Sequence, residues 1–291
     1  MSLIVDNVSK EFRIRKGLKS SKLRAVNNVS LTLEPGKTIA IVGESGSGKS
    51  TIAKMIMRLE QPTEGSITVE GLHSDVRGSQ SRDYLKLVQM VYQDPFASLN
   101  PFHTIAHHIG RPLKIHGRAR SKDEVAEQVN ELLSRVNLTP PETYAHRKPH
   151  ELSGGQRQRV VIARALAPGA KYLVADEPVS MLDVSIRLSV LNLLARLQRE
   201  DNLGVLYITH DLATARHFSD EIIVLYRGNI VEQGPSDEVI LNPQHDYTKK
   251  LLAAAPSPAN YGKLRASVRE ELARSGSDSA LDTVETLVEE Q

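Results

Sequence analysis

The sequence contains no cysteine. Without thiols the chain can form no disulfide, hold no cysteine-ligated zinc and use no thiolate nucleophile. The absence of cysteine is compatible with a reducing cytosol. Long apolar runs are also missing, since none approaches the roughly 18 residues that a membrane-spanning helix needs. No secretory signal opens the sequence, because Asp6 follows only a few residues after Met1. We therefore expect any membrane association to go through a partner protein.

A strong excess of one charge is lacking as well, because 37 Lys and Arg face 35 Asp and Glu for a net charge of +2. This balance argues against a chain that mainly neutralises nucleic-acid phosphates, and we predict no nucleic-acid partner. Hydrophobic residues make up 40% of the 291 residues and charged residues 25%, which is ordinary for a globular protein. The length predicts a core domain with an insertion or an extension.

The most informative stretch is residues 43–51, which fits the phosphate-binding pattern G-x-x-x-x-G-K-[ST]. A β-branched apolar run at 38–42 predicts a buried strand before it, and residues 49–57 predict a helix after it. Glycines let the backbone approach phosphate, and converging N–H groups at a helix N-terminus attract anions. Lys49 is predicted to reach the β/γ-phosphates and Ser50 to bind Mg²⁺. The predicted phosphate-binding residues are Gly43, Glu44, Ser45, Gly46, Ser47, Gly48, Lys49, Ser50 and Thr51.

The rest of the sequence alternates between strand and helix patterns, which predicts an α/β fold. Residues 3–14 and 26–33 read as strands, the first an edge strand, and Arg227-Gly228-Asn229 as the turn of a β-hairpin. The other predicted strands are 66–69, 90–92, 172–175 and 204–209, and the predicted helices are 84–88, 156–166 and 184–199.

A helical subdomain is predicted as an insertion at about 94–160. It begins with a loop at 93–101 and continues with helices at 105–115 and 122–136. Ser121 and Glu124 form a predicted capping box at the start of the second helix. We expect antiparallel edge strands and this insertion to surround a phosphate-loop core.

Two charged segments stand apart from this pattern. Residues 10–24 contain seven basic residues and one acid, and predict a solvated loop; a contact with lipid headgroups or a permease loop is the alternative. The C-terminal tail, 259–291, is acidic, with a net charge of −4 from residue 264 onward, and predicts marginal helix or disorder.

Two carboxylates end the predicted strand 172–175. Asp176 and Glu177 would lie at the carboxyl edge of a parallel sheet, where ligands bind in open α/β folds. Asp176 is placed to hold Mg²⁺, directly or through water, and Glu177 to polarise a water for attack on the γ-phosphate. Residues 152–156, Leu-Ser-Gly-Gly-Gln, add a second anion site at a helix N-terminus. Two phosphate-facing sites in one chain suggest that two chains sandwich the nucleotide.

Together these motifs resemble the ATP-binding subunit of ABC transporters over about residues 1–258, and the string 152–156 is the most specific of them. The resemblance implies binding of ATP with Mg²⁺, and Phe12 stacking on adenine. It implies that Gln93 senses the γ-phosphate and Mg²⁺, and that His210 positions the attacking water. The implied catalytic residues are Glu177, His210 and Gln93, and the implied magnesium residues are Ser50, Gln93 and Asp176. The residues implied to act across a dimer interface are Ser153, Gly154, Gly155, Gln156 and Asp183.

Residues 93–101 and 242–258 resemble a narrower group, the oligopeptide/dipeptide branch of ABC importers. This resemblance marks 235–258 as a C-terminal extension of that branch. It implies a heterodimer with a second homologous ATPase subunit, two membrane permeases and an extracytoplasmic solute-binding protein. The chain would then lie peripherally at the cytoplasmic face of the cell membrane.

We therefore predict an ATP-hydrolysing subunit that drives uptake of a small solute, most consistent with di- or oligopeptides. The same branch includes sugar and nickel importers, which stay alternatives for the solute. A soluble ABC-type ATPase acting on nucleic acid or ribosomes is the alternative function, although such chains usually hold two cassettes or a long coiled coil. A small-molecule kinase or GTPase shares the phosphate loop but does not explain residues 152–156.

Overall fold

The computed structural model describes residues 1–16 and 19–254. Residues Met1–Lys250 form one compact unit; in the second unit, Leu251–Gln291, only residues 251–254 are described, as the end of a helix. The predicted acidic tail and residues 255–258 of the predicted extension lie outside the described residues.

The described residues contain ten β-strands in two sheets. A six-stranded sheet has the order β10-β9-β3-β8-β7-β6, and a four-stranded sheet has the order β2-β1-β4-β5. The larger sheet is parallel from β9 to β6, with β10 antiparallel at its edge. The strands are β1 Leu3–Lys16, β2 Lys19–Leu33, β3 Thr38–Val42, β4 Glu64–Val69, β5 Leu72–His73, β6 Val88–Val91, β7 Tyr172–Asp176, β8 Gly204–Thr209, β9 Glu221–Tyr226 and β10 Asn229–Pro235.

Helices connect the parallel strands, as crossover connections require. None of the helices in the described ranges has the length and apolarity needed to cross a membrane. The helices are α1 Lys49–Ile56, α2 Ser79–Leu87, α3 Pro95–Ser98, α4 Ile105–Ile115, α5 Lys122–Arg135, α6 Pro141–His146, α7 Gly154–Leu166, α8 Val184–Glu200, α9 Leu212–Phe218, α10 Ser236–Leu241 and α11 Asp246–Ala254.

The core explains why the central strands are apolar throughout. Every residue of β3 and β8 is buried, because helices or the second sheet cover both faces. Ile41 of β3, Ile52 of α1 and Val5 of β1 belong to one apolar cluster, so the two sheets share a core around α1. This packing fixes the carboxyl ends of β3, β7 and β8 beside the start of α1.

The structure confirms several predictions that depend on local sequence. Ser121 and Glu124 form the predicted capping box at the start of α5. Arg227 and Gly228 form the two-residue turn between β9 and β10, both with positive φ, as tight hairpins require.

The prediction of a loop at 10–24 is wrong. β1 continues to Lys16 and β2 begins at Lys19, so the described residues of the basic segment form two paired antiparallel strands. The charge composition does not reveal this pairing. In the structure, the Glu11 carboxylate lies across the strands, 3.1 Å from the Lys22 ammonium and 3.3 Å from the Arg24 guanidinium. The hydrogen bond and positive charge of Lys22 hold the pKa of Glu11 below its ordinary value. β1 is also not an edge strand, because it lies between β2 and β4.

The predicted boundaries between residues 79 and 101 need correction. α2 covers Ser79–Leu87, so it is longer than the predicted helix and ends before Val88. Val88 pairs with Tyr172 of β7, and this parallel pairing places Val88 in β6, which ends before Tyr92. The predicted loop contains α3, whose first N–H groups donate to the side chain of Asp94.

Candidate active site

The phosphate loop connects β3 to α1, as predicted. Gly48 adopts φ +111°, and a Cβ atom there would lie 2.4 Å from the carbonyl oxygen of Ala25, so only glycine fits. The Gly228 N–H also donates to the Ser47 carbonyl at 2.9 Å. The loop is therefore held by contacts with β2 and with the β9–β10 turn.

Lys49 is the first residue of α1, and its side chain is almost fully buried. Its ammonium donates to the carbonyl oxygens of Gly43, at 2.6 Å, and Glu44, at 2.8 Å. Burial lowers the pKa of Lys49, and the nearby Glu177, Asp176 and Glu44 carboxylates act in the opposite direction. A buried cation held by neutral carbonyls is suited to bind phosphate oxygens.

Asp176 ends β7 and contacts the start of α1. Its Oδ1 accepts a hydrogen bond from the Ser50 hydroxyl at 3.2 Å, so two of the predicted magnesium residues are in contact. Burial raises the pKa of Asp176, whereas the bond from Ser50 lowers it, and the net shift is upward.

Glu177 follows at the turn after β7, where its backbone has φ +46° and its N–H donates to the Ile208 carbonyl at 2.9 Å. Its Oε2 accepts from Gln93 Nε2 at 3.1 Å, and its Oε1 lies 3.2 Å from His210 Nδ1. The three residues predicted to be catalytic therefore form one group, with Glu177 in contact with both Gln93 and His210.

Lys49, Ser50 and the group of Glu177, Gln93 and His210 line one cleft of about 560 Å³, whereas Asp176 contacts Ser50 but does not line the cleft. Phe12 lies in its wall, half-buried, rather than in the core. Sequence reasoning missed Leu23 and Ala25, which line the same cleft. Leu23 is opposite Phe12 in the register of β1 and β2, and a prediction of β-pairing at 10–24 would have found it. The full lining is Phe12, Leu23, Ala25, Ser45, Gly46, Gly48, Lys49, Ser50, Thr51, Gln93, Glu177 and His210.

The second predicted anion site lies elsewhere. Ser153 is the N-cap of α7, where its hydroxyl accepts from the Gln156 N–H and its own N–H donates to the Gln156 side chain. Ser153, Gly155 and Gln156 line a separate cavity of about 370 Å³. Gly154 is in the first turn of α7, and Asp183 is the exposed N-cap of α8. None of these five predicted residues lines the cleft around Lys49.

The donor groups of the cleft, together with Asp176 beside Ser50, fit a magnesium–nucleotide complex. Mg²⁺ prefers hard oxygen ligands, and Ser50, Asp176 and Gln93 offer a hydroxyl, a carboxylate and an amide oxygen. Lys49 and the N-terminus of α1 complement the phosphates.

A family model described as "ABC transporter" matches residues 26–180, more than half of the chain. The chain belongs to the ABC transporter family. It is 46% identical over 240 residues to the oligopeptide transport ATP-binding protein OppF of Bacillus subtilis, covering 81% of this chain and 77% of OppF. It is 44% identical over 260 residues to the di/tripeptide transport ATP-binding protein DppF of Pseudomonas aeruginosa, covering 88% and 79%.

A third relative is the glutathione import ATP-binding protein GsiA of Salmonella typhimurium, 46% identical over 249 residues, which are 84% of this chain and 40% of GsiA. Among solved structures, the dimeric post-hydrolysis state of the ATP-binding cassette MJ0796 bound to ADP and Pi has a TM-score of 0.70 and 32% identity. The match covers 80% of this chain and 98% of that one.

These similarities confirm the predicted ABC ATPase family, its oligopeptide/dipeptide branch and the α/β fold class with its phosphate-loop core. ATP is the nucleotide of this family. The predicted domain limits, including the helical subdomain at about 94–160, and the roles of the individual site residues stay predictions.

Proposed function

We propose that this chain is the ATP-hydrolysing subunit of an ABC importer for di- or oligopeptides. The proposal of ATP hydrolysis rests on one observation: the Glu177 carboxylate contacts both Gln93 and His210 in the cleft that contains Lys49. The names of the relatives OppF and DppF support a peptide solute.

Several residues of the cleft bind the nucleotide. The Lys49 ammonium and the N–H groups at the start of α1 bind the phosphates. Ser50, Asp176 and Gln93 would hold Mg²⁺, which when bound neutralises charge on the phosphate oxygens. Phe12 and Leu23 provide an apolar wall for the adenine.

Glu177 accepts a proton from the water that attacks the γ-phosphate. His210 and Gln93 each contact a different oxygen of this carboxylate, so its orientation is set before ATP arrives. Such positioning supplies most of the catalysis in phosphoryl transfer.

A second ATPase subunit completes the site. Because Ser153, Gly155 and Asp183 lie outside this chain's own cleft, we infer that they act on nucleotide held by the partner. ATP binding then closes the two subunits, and closure moves the helices between residues 94 and 160 against two membrane permeases. Hydrolysis resets the pair, and a solute-binding protein delivers the peptide outside. The working complex is a heterodimer at the cytoplasmic face of the membrane.

Glu177→Gln tests the catalytic part of this proposal. It should keep ATP binding and lower turnover about 100-fold or more, because general-base catalysis contributes about 10²–10⁴. Fluorescent-nucleotide binding and phosphate release measure the two quantities in the assembled complex. Glu127→Gln, an exposed exchange on α5, is the matched control. Normal turnover in the Glu177 variant would refute the proposed role.

The isolation of the native complex tests the transport part. Membrane permeases and a second ATPase should co-purify with the chain. RNA or ribosomes in place of permeases would instead support the soluble ABC-type ATPase.

A further inference from the structure

A tyrosine of α11 contacts the phosphate loop. Tyr247 lies in the first turn of α11, and its side chain is 8% exposed. Its hydroxyl oxygen accepts a hydrogen bond from the Glu44 N–H at 2.9 Å. Glu44 is the second residue of the phosphate-binding pattern, 203 positions before Tyr247.

The peptide group between Gly43 and Glu44 is bonded at both ends. Its N–H donates to Tyr247, and its carbonyl, that of Gly43, accepts from the Lys49 ammonium at 2.6 Å. A trans peptide is planar, so its N–H and C=O point in opposite directions. Fixing the N–H therefore also fixes the direction of the carbonyl that holds Lys49.

Tyr247 is itself held in place by its neighbours. Its ring lies against Tyr226, with centroids 4.2 Å apart, and its N–H donates to His245 Nδ1 at 3.1 Å. The Glu232 carboxylate of β10 accepts from the N–H groups of Gln244, at 2.7 Å, and His245, at 3.0 Å. Glu232 thus anchors the residues that present Tyr247 to the loop.

We propose that Tyr247 is a positioning residue for ATP: it fixes the Gly43–Glu44 peptide and, through it, the Lys49 ammonium in the cleft. The inference rests on the proposed function for the identity of the ligand. A preset loop loses less conformational freedom when phosphate binds, which strengthens binding. Since Lys49 contacts phosphate before and during the reaction, loss of Tyr247 should weaken ATP binding and leave kcat nearly unchanged.

Tyr247→Phe tests the proposal in the full-length protein, because it removes the hydroxyl and keeps the ring on Tyr226. Tyr172→Phe is the matched control: it removes a hydroxyl bonded to Glu70 at 2.7 Å, at the start of β7 and away from the cleft. We expect the Kd for ATP to rise about 3- to 10-fold in the Tyr247 variant, as for one lost hydrogen bond. The control should keep the wild-type Kd.

Hydrogen exchange gives a readout that needs no nucleotide. The Glu44 amide should exchange faster in Tyr247→Phe than in the wild type and in Tyr172→Phe, because it has lost its acceptor. Unchanged Glu44 exchange, or an unchanged Kd for ATP, would overturn the proposal. So would a fall in kcat with Kd constant. A variant that unfolds at lower denaturant, without faster local exchange at Glu44, would show a structural role only and would overturn it too.

Glu232→Ala tests whether the bonds from Gln244 and His245 to Glu232 help to position Tyr247. It should raise the Kd for ATP by a smaller factor, and the effects of Glu232→Ala and Tyr247→Phe should combine less than additively, because both act through the same contact. Fully additive effects of the two variants on the Kd would refute the inference that Glu232 acts through Tyr247. If even the wild-type complex releases no phosphate, the proposed function fails, while the exchange and binding results still decide the role of Tyr247.

Discussion

Gly48→Ala probes the close approach of β2 to the phosphate loop. An alanine there must adopt φ near +111° and place its Cβ 2.4 Å from the Ala25 carbonyl oxygen, a backbone atom that cannot rotate away. The unfavourable backbone conformation costs about 1–3 kcal/mol, and the steric overlap about 1–3 kcal/mol more. The sum, about 2–6 kcal/mol, is a large part of a typical folding free energy of about 5–15 kcal/mol.

Gly46→Ala separates the two costs. Gly46 is in the same loop with φ +80°, but apart from its two chain neighbours no described residue lies within 4 Å of a Cβ built there. Its replacement should therefore show only the backbone cost of about 1–3 kcal/mol. Gly117→Ala, outside the loop at φ +67° and also in open space, should behave like Gly46→Ala.

Urea unfolding of the nucleotide-free protein, followed by circular dichroism, measures these costs. Gly48→Ala should be less stable than Gly46→Ala by about 1–3 kcal/mol, the steric part alone. Equal stability of the two variants would refute the argument that contact with β2 enforces glycine at position 48.

Two further predictions concern the walls of the cleft. Phe12→Ala should weaken ATP binding about 5- to 150-fold, because about 1–3 kcal/mol of base stacking is lost, and should leave the binding of inorganic triphosphate unchanged. Competition assays measure both affinities. Equal weakening of the two ligands would contradict a base contact. Asp176→Asn should raise the free energy of unfolding near neutral pH. Burial raises the pKa of Asp176 above its ordinary value of 3.8, so the native wild type loses stability as pH rises from 3.8 through the raised value. Urea unfolding should show that the extra stability of Asp176→Asn vanishes below pH 3.8. Extra stability that does not depend on pH would refute this prediction.

Predictions from local sequence were the most accurate. The phosphate loop, the capping box of Ser121 and the Arg227-Gly228 turn each depend on a few neighbouring residues with specific conformational needs. The loop prediction for 10–24 fails because charge composition does not distinguish a solvated loop from paired strands. The sequence places Val88 at the end of a helix, because the pairing with Tyr172 that decides its conformation is not visible in the sequence.

By itself the sequence determined the family, the α/β class and the residue types that bind and hydrolyse a triphosphate. Tertiary structure decided which of them meet. Glu177 contacts Gln93, 84 positions away, and His210, because the parallel strands β6, β7 and β8 bring their carboxyl ends to one edge. The same fold leaves Ser153 and Asp183 outside that cleft and brings Tyr247 to Glu44. Periodicity specifies which face of an element is buried, but not which distant element covers it.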